Sequence, residues 1–233
     1  MPARGVARMR RHLMVHLPLA ETVTGRDFER VLAGGVGGQV VGTGAPGGGK
    51  HLFDVLSGPE QTSHGFSAKT LSCGRESLEG IKGGKRDWLF VLRRSDVIAH
   101  GEQVSSPSRL GRRLVDDFNA HRRSSIETQG VVNPSMSLLL RSSDERQHLY
   151  FETECNELVA EQLKWSWTDD TRRSVSGHCK GCGKLMYRYY LAHRQLFGAF
   201  QVPENAVAIN TPWRRMANLP VDELYEMLYP QGD

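Results

Sequence analysis

Two side chains of opposite charge stand where charge is costly. Asp54 interrupts the apolar run Leu52-Phe53-Asp54-Val55, and Lys69 sits between Phe66 and Leu71 in a second run, behind Ser67 and Ala68. A charge among apolar neighbours is expensive unless it is paired or bound to metal. Two short strands joined by a polar Gly/Pro/Ser loop can bring such a carboxylate and ammonium to one point. A metal-dependent phosphodiester hydrolase needs that pairing. The carboxylate holds a divalent cation, and the lysine orients or activates a water and stabilises charge on the phosphate. Glu76 and Glu79 follow closely enough, on the next expected helix, for either to offer a second carboxylate. His64 reads as a loop residue rather than a general base.

Three other patterns carry chemistry. Gly44 to Lys50 fits the first seven positions of a P-loop, GxxxxGK. A P-loop continues with Ser or Thr and then a helix; this chain continues with His51 and ends the run at Gly58-Pro59. The spacing Cys179-x-x-Cys182 lets two thiolates bind one zinc from a tight turn. Cys155, Cys73, His178 and His193 are the candidates to complete it, giving a structural Zn2+ site in a zinc-knuckle-like insertion near residues 155–195. Basic side chains form two clusters. Arg109, Arg112 and Arg113 fall on one helical face and suit phosphate contacts, which position without specifying. Arg188, Arg194 and Gln195 lie among tyrosines, and Arg and Gln read guanine and adenine edges. The competing reading of Leu185 to Phe200 is an amphipathic core helix.

The elements needed to position these groups follow from local pattern. A helix is expected over Thr24 to Leu32, capped by Thr24. Strands are expected near Leu52 to Leu56, Phe66 to Ser72 and Trp88 to Leu92. Glu76 to Lys82 suits a short helix and Pro107 to Ala120 a longer one. Ser137 to Arg141 and His148 to Thr153 flank a polar turn and predict a hairpin. Glu154 to Lys164 and Pro220 to Leu228 read as helices. The simplest architecture is α/β, a central mixed β-sheet flanked by helices, in a single domain over 1–233.

Bulk properties narrow the classes further. The 233 residues suffice for a real core, and no stretch approaches a membrane span. His12, His16 and Pro18 interrupt the N-terminal apolar patch, so no secretory signal is expected. Four cysteines without such a signal do not make a disulfide scaffold, which implies a reducing cytoplasmic setting. The net charge of +4, carried mostly by arginine, permits a nucleic-acid partner.

Over roughly residues 25–98 the sequence resembles the PD-(D/E)xK nucleases, the superfamily of most type II restriction endonucleases. Asp54 matches the first acidic position and Lys69 the lysine. Ser67 stands where the pattern has Asp or Glu, as in the serine-bearing subset, whose second carboxylate comes from the following helix. Glu76 or Glu79 would supply it here, at a somewhat shorter spacing than in that subset. Phe53 replaces the usual proline. The resemblance implies a restriction-endonuclease-like fold and a restriction system enzyme. It would be a DNA-binding hydrolase that cuts double-stranded DNA with Mg2+ held by Asp54 and Glu79, acting as a homodimer or higher oligomer. The alternatives are a P-loop nucleotide-binding enzyme built on Gly44 to Lys50 and a non-catalytic, zinc-stabilised DNA-binding module.

Overall fold

A computed structural model describes residues 3–20, 23–41, 51–59, 63–74, 78–98 and 104–210. Glu76, the glycine-rich Gly44 to Lys50 and the expected helix Pro220 to Leu228 lie outside the described residues, and for Glu79 only the backbone is described. In chain order the elements are α1 (Ala3–Ala20), α2 (Gly25–Val36), β1 (Gln39–Val40), β2 (Val55–Ser57), β3 (Ser63–Ser72), a 3-10 turn (Leu78–Ile81), β4 (Trp88–Arg94), α3 (Pro107–Gln129), β5 (Val131–Arg141), β6 (Gln147–Glu154), a second 3-10 turn (Ala160–Gln162), β7 (Leu163–Trp167), β8 (Ser174–Cys179), β9 (Leu185–Tyr190), β10 (Gln195–Phe200) and β11 (Val207–Asn210). The protein is mixed α/β. Among the described residues no helix is long and apolar enough to cross a membrane.

The chain divides into two compact units where the sequence suggested one domain. The first comprises 1–84, 130–155 and 203–233, and the second 85–129 and 156–202. The first unit holds a six-stranded mixed sheet in the order β1-β2-β3-β5-β6-β11. Strands β3 and β5 run parallel and the other neighbours antiparallel. A parallel pair needs a long crossover, and residues 73–130, including β4 and α3, provide it.

Helix α2 begins where Thr24 and Asp27 exchange side-chain-to-backbone hydrogen bonds, a capping box that satisfies orphan N–H groups. It ends at Gly37, whose φ of 66° suits glycine. Its buried stripe of Phe28, Val31, Leu32 and Gly35 packs with Met9 and Leu13 of α1 and with Phe66, Ala68, Leu139, Tyr150 and Ile209 of the sheet. Thr24→Ala should therefore lower unfolding free energy by about 1 kcal/mol. Urea titration checks this, and an unchanged midpoint would reject the cap. Helix α1 was not legible in the hydropathy, because His12, His16 and Pro18 interrupt it. Burying Gly5, Met9 and Leu13 at every fourth residue was enough.

The second unit is a five-stranded antiparallel sheet, β4-β10-β9-β8-β7, with α3 against one face. Leu110, Leu114, Val115 and Phe118 of α3 are buried. One expectation and one competing reading are corrected here. Glu154 to Lys164 is not helical: apart from one 3-10 turn it is extended, and it leads into β7. The alternation of buried Leu163 and Trp165 with exposed Lys164 is a strand pattern, and it outweighs the helical propensity of the glutamates. Leu185 to Phe200 is likewise no helix but the hairpin β9–β10. Its aromatic residues pair across strands, among them Tyr190 and Phe197 edge to face at 5.3 Å. The segment expected as a small knuckle-like insertion thus supplies three of this sheet's strands, β7, β8 and β9, and ends where β10 begins.

Candidate active site

Strands β2 and β3 form the hairpin that the sequence called for, with Val55 paired to Phe66. Asp54 directly precedes β2. Its backbone is held on both sides, N–H to the Phe66 carbonyl and carbonyl to the Val41 N–H, each at 2.9 Å. Its side chain is almost fully buried. The carboxylate Oδ2 accepts from the Ala68 N–H at 2.9 Å and from the Lys69 ammonium at 3.4 Å. The two charges predicted to meet do meet, between the residue just before β2 and the neighbouring strand β3. Ion pairing and a backbone donor together offset the desolvation of this carboxylate.

Alternation along β3 decides what surrounds the pair. Phe66 and Ala68 point into the core shared with α1 and α2, so Ser67 and Lys69 stand on the opposite face. Ser67 is fully buried, and its Oγ has no hydrogen-bond partner among the described residues. His64 is on the other side, exposed and stacked on Phe66 at 6.4 Å, away from Lys69. It lies within β3 rather than in a loop. The backbone of Glu79 falls in the 3-10 turn Leu78–Ile81, a shorter element than the helix expected over Glu76 to Lys82.

The glycine-rich motif lacks the context that a P-loop needs. Residues 51–54 are irregular and run directly into β2, where a P-loop would open a helix.

The cysteines separate. Cys155 is buried in the first unit, with its N–H on the Pro134 carbonyl, and the Cys73 thiol donates to the Arg141 carbonyl. Cys179 and Cys182 occupy the β8–β9 turn of the second unit. There Gly183, at φ 70°, returns its N–H to the Cys179 carbonyl. Among the described residues no group of three or more His, Cys, Asp or Glu side chains is placed to hold a metal. His178 pairs across strands with Lys164. The Cys182 N–H donates to Cys179 Sγ at 3.4 Å. A hydrogen bond from the Cys182 side chain, then backbone donors of Cys182 and Gly181, hold the Cys179 thiol below its ordinary pKa. Thiolate is the reactive form. Cys182→Ala should slow iodoacetamide alkylation of Cys179 at neutral pH by roughly threefold. Peptide mapping reads this, and equal or faster alkylation would reject the thiol contact.

The arginine clusters also resolve. Arg109 and Arg112 are exposed on α3, but Asp116 and Glu127 are exposed on the same helix. Arg113 is spent on the Val97 carbonyl, and Arg123 lies 3.4 Å from Glu157. Arg194 occupies a turn at φ 50° and pairs with Asp96 at 3.1 Å. Arg188 lies within the sheet, with Nε donating to Ser176 Oγ at 3.3 Å. Gln195 pairs with Tyr190 and Arg94.

Sequence reasoning missed a buried ionic cluster at the β5–β6 turn. Arg141 pairs with Glu145, and His148 Nε2 lies 3.4 Å from the same carboxylate. Glu145 has φ 55°, an uncommon conformation for a non-glycine residue. The only local signal was the polar SSDERQ turn.

No protein-family model matches this chain, and neither a curated protein nor a solved structure matches it.

Proposed function

We propose that this chain is a type II restriction endonuclease that cuts both strands of double-stranded DNA with Mg2+, in a restriction-endonuclease-like fold. The observation that carries the reading is the Asp54–Lys69 pair, an almost fully buried carboxylate just before β2 against a partly buried ammonium on β3, with the Ser67 hydroxyl, unpartnered among the described residues, on the same face as Lys69. The mixed sheet supports it, since the acid precedes one strand, the lysine lies on the next, and a helical crossover leads to a parallel neighbour.

The donor set suits a hard cation. Asp54 supplies a carboxylate, and Ser67 a buried oxygen that has no partner among the described residues. Mg2+ takes one or two carboxylates and keeps several waters. Asp54 would hold it, together with Glu79 or Glu76. When bound, Mg2+ supplies charge neutralisation at the scissile phosphate. Lys69 orients the attacking water and stabilises the negative charge that grows on the phosphate oxygens. The fixed carboxylate of Asp54 in turn holds Lys69 in place. One such site per chain cuts one strand, so a double-strand break requires two chains related by a two-fold axis.

The test is incubation of the purified protein with unmethylated phage DNA, in Mg2+ or in EDTA. Discrete Mg2+-dependent fragments are expected. Intact DNA across substrates covering all short palindromes would reject the reading.

A further inference from the structure

Residues paired across antiparallel strands share a face, so the strand register sorts the second sheet's side chains. Trp165 and Gly177 are paired on the face covered by α3, where Gly111 of that helix meets the Trp165 ring. The opposite face carries the row Phe197–Arg188–Ser176–Ser166, beside it the pair Gln195–Tyr190, and beyond it the pair Lys164–His178. Lys164 is exposed, and Arg188, Tyr190 and Gln195 are half-buried. Within this unit the one described helix, α3, packs on the other face.

The charge on its strands is of one sign, and Asp96, in the loop after β4, is paired with Arg94 and Arg194. The five strands of this sheet contain no Asp or Glu. Helix α3, the other basic surface of this unit, interleaves its exposed arginines with the exposed Asp116 and Glu127, while Asp117 is engaged by Ser95 and Arg93. A polyanion therefore meets repulsion on the helix that it does not meet on the sheet. The edge-to-face contact of Tyr190 and Phe197 occupies both rings with each other. They form a floor for the basic side chains rather than a platform for unstacked bases. Neighbouring strands lie about 4.8 Å apart, so Arg188 on β9 and Lys164 on β7 are spaced as separate phosphate contacts.

We infer that this open sheet face docks the phosphate backbone of duplex DNA, with Arg188 and Lys164 as its main contacts and α3 turned to other uses. The inference rests on the proposed nuclease reading only for the identity of the polyanion.

The test is fluorescence anisotropy of the full chain with a labelled duplex in EDTA, across a salt series. Arg188→Gln and Lys164→Gln should each weaken binding roughly tenfold and reduce the log–log salt slope by about one. Arg112→Gln should change affinity less than twofold. Circular dichroism confirms that the variants fold. Four results would overturn the inference: parental binding by both sheet variants, a larger loss from Arg112→Gln, tighter binding of single-stranded than duplex DNA that Tyr190→Leu removes, or light scattering in which Arg188→Gln splits a homodimer. Binding is read without cleavage, so the two readings fail separately. Loss of binding in the sheet variants of a parent that never cuts DNA leaves the surface standing and removes the nuclease. Cleavage by a parent whose sheet variants bind normally does the reverse.

Discussion

Asp54→Asn is expected to abolish Mg2+-dependent cleavage, lowering the rate by about three orders of magnitude. Removing the anionic ligand forfeits several kcal/mol of charge stabilisation. The fold should survive, because the Asn carbonyl still accepts from the Ala68 N–H and fills the same volume. Lys69→Met should be as inactive but less stable. It removes the ammonium 3.4 Å from an almost fully buried carboxylate, and deleting one partner of such a pair costs about 3 kcal/mol. The two variants thus separate chemistry from stability: both lose cleavage, and only Lys69→Met shifts the urea midpoint strongly. Gel-based cleavage and urea titration measure the two effects. Cutting by Asp54→Asn at the parental rate would sink the site assignment. Equal midpoints would show that the ion pair does not stabilise the strands it joins.

Gly111→Leu should produce the largest loss of stability among single changes in the second unit. Trp165 lies between two glycines, Gly111 of α3 and Gly177 of β8, and a Cβ at either would overlap its indole ring. A leucine side chain must displace that ring or push the helix off the sheet. Overpacking of this kind costs about 3 kcal/mol, which for a chain of this size is roughly 10 °C in Tm. Helix propensity acts the other way, because any residue with a Cβ improves on glycine in mid-helix by up to about 1 kcal/mol. The sign of the result is therefore informative. Thermal unfolding followed by tryptophan fluorescence reads it, and a raised Tm would mean that the helix does not approach Trp165 so closely.

Much of this protein was legible where contiguous residues decide structure. Thr24 and Asp27 announce the start of α2 because a capping box is closed within four residues. The β5–β6 hairpin is announced by two apolar runs around a polar turn. The meeting of Asp54 and Lys69 is legible too, since the hairpin that joins them is short and both charges interrupt apolar runs. Which of Glu76 and Glu79 would serve as the proposed second carboxylate is not, because both offer the same chemistry and local spacing does not choose between them.

Other features were settled only by distant partners. Glu154 to Lys164 carries the residues of a helix, yet Leu163 and Trp165 are drawn into a strand by β8 and by the gap that Gly111 leaves in α3. The arginines at 109, 112, 113 and 188 look alike along the chain. Only the register of β9 against β8 and β10 shows that Arg188 shares its face with no carboxylate of the sheet, while α3 mixes its own charges. By itself the sequence determined the caps, the hairpins and the acid–lysine pair, because each is closed by neighbours a few residues apart. The tertiary structure alone decided the parallel pairing of β3 with β5, the insertion of β4 and α3 between them, and the unlike faces of the second sheet. Those depend on contacts between segments far apart in the chain, whose loop-closure cost no local pattern encodes.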